Sequence, residues 1–168
     1  MPGAGPGMWV LLSYRMPREP STPRIAVWRK LKRLGVAQIS DGLVALPADA
    51  RTREQLEWIA DEVVQSGGAA GIWLATPGAL DQERQLAATM AAARAAEYTK
   101  VTHEALAGAG LAEAARASLA RRLRAELRRI RRRDYFPPAE RDAAGAAVQD
   151  LTGTGAMAAP APTGEERS

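Results

Sequence analysis

The residues best equipped for chemistry here are arginines. Residues 121–136 read RRLRAELRRIRRRDYF and hold eight arginines between 121 and 133. A guanidinium is permanently charged and presents a planar fork of N–H donors that matches phosphate and carboxylate oxygens. At this density the chemistry is the binding of a polyanion, and no bond-making step is implied. Arg121, Arg122, Arg124, Arg128, Arg129, Arg131 and Arg132 are the candidate nucleic-acid contacts. Arg29, Lys30, Lys32 and Arg33 in RIAVWRKLKR add to them. Arg15, Arg18 and Arg24 surround a predicted helix N-terminus, where backbone N–H groups already favour an anion.

Catalytic residues are scarce. The chain has no cysteine and a single histidine, His103, which falls in a polar helical stretch and reads as a surface residue. Disulfides, thiolate metal sites, a cysteine nucleophile and a multi-histidine metal centre are excluded together. Asp61 and Glu62 are adjacent, so a helix points them to different sides and they do not form an acid–base pair. SGGAAG at 66–71 lacks the lysine and following helix of a phosphate loop. The expectation is a protein that is not an enzyme and carries neither metal nor cofactor.

Charge is distributed in blocks. Residues 1–35 carry +6, 36–104 carry −5, 105–133 carry +7 and 134–168 carry −4, around a net +4. Local basic zones steer polyanions better than the average suggests. Arginine outnumbers lysine twenty to three, which by itself is weak evidence for phosphate recognition, since GC-rich coding produces the same bias. MWVLL is too short for a signal core or a membrane span, so a cytoplasmic chain without a membrane partner is expected.

The elements that must position these groups follow from periodicity. Residues 1–8 read as a disordered leader and 152–168 as a disordered tail. WVLLSYR (9–15) is a strand former. A helix follows from Pro23, capped by Ser21 or Thr22, to Leu34, with Gly35 as its stop. VAQIS-DG-LVALP (36–47) is a hairpin signal, because Asp-Gly tolerates positive φ. TREQLEWIADEVVQSG (52–67) is a second helix with Thr52 as candidate cap and Leu56, Ile59 and Val63 inward. AAGIWLATP (69–77) is a further strand. The order β-α-β-β-α-β predicts an α+β, ferredoxin-like domain over 9–77. From 80 to 151 the pattern predicts a long antiparallel helical hairpin with a short third helix: 80–107 with Leu86, Met90 and Ala93 inward, 111–133, and about 138–151.

On the helix 111–133, Leu111, Ala115, Leu119, Leu123, Leu127 and Ile130 form a seam. Two readings stand: an amphipathic packing helix with a solvated back, or a polyanion-binding face. The like charges forgo the i,i+4 pairs of an ordinary solvated helix, each worth about 0.3 kcal/mol. The four tryptophans, Trp9, Trp28, Trp58 and Trp73, each lie in an apolar run and read as core, with Trp28 the most exposed candidate.

WVLLSYRMPREPSTPRIAVWRKLKRLGVAQISDGLVALP, WLATP, RAAEY and RRIRRRDYFPP together resemble the N-terminal domain of the ChrB chromate-resistance regulator family, over roughly residues 9–150. Tyr14, Pro17, Pro20, Ser21, Arg24, Trp28 and Arg29, then Asp41-Gly42, then Arg133-Asp134-Tyr135-Phe136 carry the likeness. The first half is more weakly similar to the middle domain of PaaX-type repressors. The resemblance implies a bacterial transcriptional regulator that binds DNA upstream of a chromate-efflux operon and responds to chromate, with a homodimer expected. Full-length members carry a further C-terminal domain, and PaaX-type repressors a winged helix, neither of which is expected here. Two other readings remain from the residues: an oxyanion-binding accessory protein using Arg15, Arg18 and Arg24, and a helical protein–protein interaction module.

Overall fold

The computed structural model describes residues 7–153. Over the described residues the chain is α+β, with a four-stranded antiparallel sheet and five helices. In chain order the elements are β1 (Trp9–Arg15), α1 (Ser21–Leu34), β2 (Ala37–Ser40), β3 (Leu43–Pro47), α2 (Ala50–Gln65), β4 (Ala69–Ala75), α3 (Leu80–Ala107), α4 (Glu113–Arg132) and α5 (Glu140–Gly153). The strand order across the sheet is β2-β3-β1-β4.

Strand alternation sends side chains to both faces of the sheet. Val10 and Leu12 sit opposite Leu46 and Val44, and all four are fully buried. They share one core with Val27 and Leu31 of α1 and with Leu56, Ile59 and Val63 of α2. On the other face Trp9 and Ala45 are buried, and the same core takes in Met90 of α3. Phe136, beyond α4, stacks on Trp9 with ring centroids 6.0 Å apart. A second core holds Tyr98, Val101 and Ala105 of α3, Ala120, Leu123, Leu127 and Ile130 of α4, and Ala144, Val148 and Leu151 of α5. Helix α3 therefore spans both cores; its 28 residues make a rod of about 42 Å.

Two glycines are needed where the chain folds tightly. Gly35 ends α1 at φ 75°, and a Cβ there would lie 2.9 Å from both Arg133 Cβ and Arg94 Nη1. Gly42, at φ 72°, brings its carbonyl 2.8 Å from the Tyr14 amide, and a Cβ there would lie 2.5 Å from the Tyr14 carbonyl oxygen.

Several expectations are corrected. Helix α2 is capped by Asp49, whose carboxylate accepts from the Thr52 amide at 2.7 Å. Thr52 is the third helical residue, buried, with its hydroxyl donating to the Pro47 carbonyl at 2.7 Å. Helix α1 begins at Ser21 with no side-chain cap. Helix α4 begins at Glu113; Leu111 belongs to the preceding turn and is 44% exposed, and Ala115 is exposed. The turn packs Gly108 against Leu119, so the seam starts there. Ala93 is exposed, while Leu86 and Met90 pack as expected.

Trp58 and Trp73 are also not core, at 67% and 59% exposed. Trp58 lies about 130° around α2 from the buried stripe at 100° per residue. Trp73 is on the edge strand β4, where its indole donates to Ser13 Oγ at 2.9 Å. The leader and tail expected at the termini fall outside the described residues, apart from 7, 8, 152 and 153. Of these, the Gly7 amide donates to Glu83 Oε1, the Met8 carbonyl accepts from the Ala48 amide, and Thr152 and Gly153 belong to α5.

Asp49→Ala removes the cap and should cost about 1 kcal/mol in urea denaturation. An unchanged midpoint would show that the Thr52–Pro47 bond alone holds the start of α2.

Candidate functional site: a cationic helix and the junction beneath it

Helix α4 sorts its arginines by geometry. Leu123, Leu127 and Ile130 face the second core. At 100° per residue, Arg122, Arg129 and Arg133 then fall on one flank. Each is paired: Arg122 with Glu104 at 2.7 Å, Arg129 with Glu126 at 2.6 Å, and Arg133 with Glu97. On the other flank Arg124 donates to Thr152 Oγ1 at 2.9 Å. Arg121, Arg128 and Arg132 form the outer ridge, at i, i+7 and i+11, while Arg131 falls on the Arg124 flank, toward Gly145 of α5. All four are exposed, and none has an ion pair among the described residues. The ridge is about 17 Å long.

On α1, Arg29, Lys30, Lys32 and Arg33 are all exposed. Lys30 pairs with Glu62, and Lys32 Nζ lies 5.4 Å from the Trp28 ring centroid. The two basic zones, remote in sequence, meet where Gly35 touches Arg133. Arg15 and Arg24 line one open groove of about 660 Å³ with Tyr14, Trp28 and Asp41. Arg18 is exposed and does not line it, so the expected three-arginine cluster is not brought together there.

Where α4 ends against α3 lies a set of partly buried charges that residue-by-residue reading did not single out. Glu97 lies between two arginines: Oε1 is 2.9 Å from Arg94 Nη2, and Oε2 accepts from Arg133 Nη2. The Tyr98 hydroxyl donates to Asp134 Oδ2 at 2.8 Å, and Arg141 stands 3.8 Å from the same oxygen. Burial draws the Arg94 pKa down, while the Glu97 carboxylate acts to hold it up. Burial, with the hydrogen bond to Asp134, pushes the Tyr98 pKa up to about 12. RAAEY and RRRDYF both belong to the segments that resemble the family, and their residues bond to each other across 36 positions.

Among the described residues, no group of three or more His, Cys, Asp or Glu could hold a metal ion. No described helix is long and apolar enough to cross a membrane.

The fold and surface define a class: an α+β protein whose sheet layer packs on a helical layer with a cationic outer ridge. The family model for the N-terminal part of Protein ChrB matches residues 24–107, half of the chain, and the chain belongs to that family. It is 28% identical over 141 residues to Protein ChrB of Cupriavidus metallidurans, covering 82% of this chain and 43% of that protein. The chain thus spans less than half the length of this curated relative. No solved structure matches.

The Tyr98–Asp134 bond gives a prediction with a definite sign. A raised folded-state pKa means that its stabilisation is complete below pH 10.0, the ordinary tyrosine value. It is lost as pH rises through about 12. Tyr98→Phe should cost about 1–3 kcal/mol at neutral pH, because Asp134 loses a donor while buried. It should also flatten the alkaline fall in urea-denaturation stability. A variant that keeps both the stability and the alkaline slope contradicts the assignment.

Proposed function

We propose that the chain is a DNA-binding transcriptional regulator in chromate resistance, responsive to chromate, and not an enzyme. Membership of the ChrB family supports the link to chromate resistance. The observation that carries DNA binding is the ridge of Arg121, Arg128 and Arg132, with Arg131 on the neighbouring flank. These four are held by a packed helix yet have no ion pair among the described residues. Charges held in place on a packed helix and unmatched among the described residues suit a polyanion, whose binding releases condensed counterions. Arg29, Lys32 and Arg33 extend the surface past the α1–α4 contact. Arg122 and Arg129 contribute less, since DNA must first break their carboxylate pairs.

Strand order supports a ferredoxin-like reading of the first half: taken from the other edge it runs β4-β1-β3-β2, with the βαββαβ chain order. The ion pairs Arg122–Glu104 and Arg133–Glu97 support reading α3 and α4 as an antiparallel hairpin, since rising positions on one helix meet falling positions on the other. A cytoplasmic homodimer completes the proposal; sedimentation at the mass of one chain would remove the dimer.

A gel shift and a salt titration on DNA upstream of the gene test the main reading. With about six phosphates neutralised, log K falls with log salt at a slope of about −5. Replacing Arg121, Arg128, Arg131 and Arg132 by Gln should weaken binding strongly and reduce that slope by about 3–4. Unchanged affinity in this variant overturns the assignment.

A further inference from the structure

A cavity of about 620 Å³ lies where the two basic zones meet. Its wall includes Lys32, Arg33, Arg94 and Arg133, with Glu97 as the one carboxylate. Arg94 is nearly buried, its side chain 12% exposed. Its Nε and Nη1 atoms are completely covered and have no hydrogen-bond partner. Buried guanidinium N–H groups without an acceptor are costly, because a charged donor has been taken out of water. Glu97 does not relieve them, since Oε1 stands by Arg94 Nη2 and Oε2 is held by Arg133. Nη1 packs against the Gly35 backbone, so Arg94 meets the cavity through the small part of its side chain that stays exposed.

The charge of the wall sets the charge of the ligand. Four cations and one carboxylate leave an excess of three. Helices α1 and α4 both end here, at Gly35 and Arg133, and each C-terminus brings roughly half a negative charge. The remainder is about +2. Asp134, which also acts on Arg94, is matched by Arg141.

We propose that this cavity binds a small oxyanion carrying two negative charges, held by Lys32, Arg33 and Arg133, with the exposed part of Arg94 behind them. The cavity exceeds a lone tetrahedral anion in size, so the anion keeps water on its open side. This site is separate from the Arg15–Arg24 groove, where Asp41 opposes an anion. The proposal deepens the reading of a chromate-responsive chain and rests on it only for including chromate among the probes.

The test is calorimetry of the full chain with sulfate, phosphate and chromate at low ionic strength. Saturable binding of at least one dianion is expected. Arg94→Gln should weaken it at least tenfold. Arg33→Gln, at an exposed position that leaves folding intact, should weaken it severalfold. Arg15→Gln with Arg24→Gln should leave it unchanged. No saturable heat from any of the three anions overturns the site. So does retention of binding in Arg33→Gln and Arg94→Gln, or its loss only in the Arg15/Arg24 variant. If Arg94→Gln weakens DNA binding while no free anion binds, the cavity is part of the DNA surface and the proposal fails. Anion binding that leaves DNA affinity unmoved supports the site and overturns the responsive-regulator reading instead.

Discussion

The junction of Arg94, Glu97 and Arg133 against Gly35 is the contact on which the rest of the structure depends. The chain has two apolar cores, one around the sheet and one among α3, α4 and α5. Helix α3 runs through both, and a single helix would leave the two layers joined by one rod. The ion pairs at Glu97, the Tyr98–Asp134 bond and the stacking of Phe136 on Trp9 close the connection from the α4 side. The charges there are partly buried and share Glu97 and Asp134 as partners, and removing either carboxylate would leave its arginines stranded. Gly35 lets α1 end against them; any side chain would collide with Arg133 and Arg94.

The same junction organises the electrostatics. One carboxylate serves two arginines, so cationic charge is left over just where two basic segments converge. Along α4 the arginines near α3 find acids, and those on the outer ridge do not. A sequence that is only mildly basic on average therefore presents a strongly segregated surface. The difference between a charged back and a binding face lies in which guanidiniums have partners.

Some of this was legible residue by residue. The stripes Leu56, Ile59, Val63 and Leu123, Leu127, Ile130 repeat every three or four positions, and burial follows them because helical geometry leaves no alternative. Asp41-Gly42 announced its hairpin through the φ it tolerates. Trp9 and Trp28 pack in the first core as their apolar runs suggest, while Trp58 and Trp73 do not, although large apolar side chains in such runs usually face inward. Trp58 could have been placed by its angle from the stripe; Trp73 could not, since which sheet face α3 leaves open is a matter of packing. Leu111 and Ala115 fit the period but stand before the point where α4 meets its neighbours. Asp49 and Thr52 offer the same capping chemistry three residues apart, and the bond that chooses between them is made in space.

The sequence by itself determined the element order, the inward stripes, the lack of cysteine and of histidine pairs, and the position of the basic blocks. These follow from local sterics, periodicity and composition, which need no knowledge of distant contacts. Only the tertiary structure decided which arginines are spent on carboxylates and which are free. It also decided that RAAEY and RRRDYF form one cluster, and that Arg94 lies covered with two donors unanswered beside a cavity. Pairing and desolvation depend on which atoms come within a few ångströms of each other, and neighbours along the chain do not encode that.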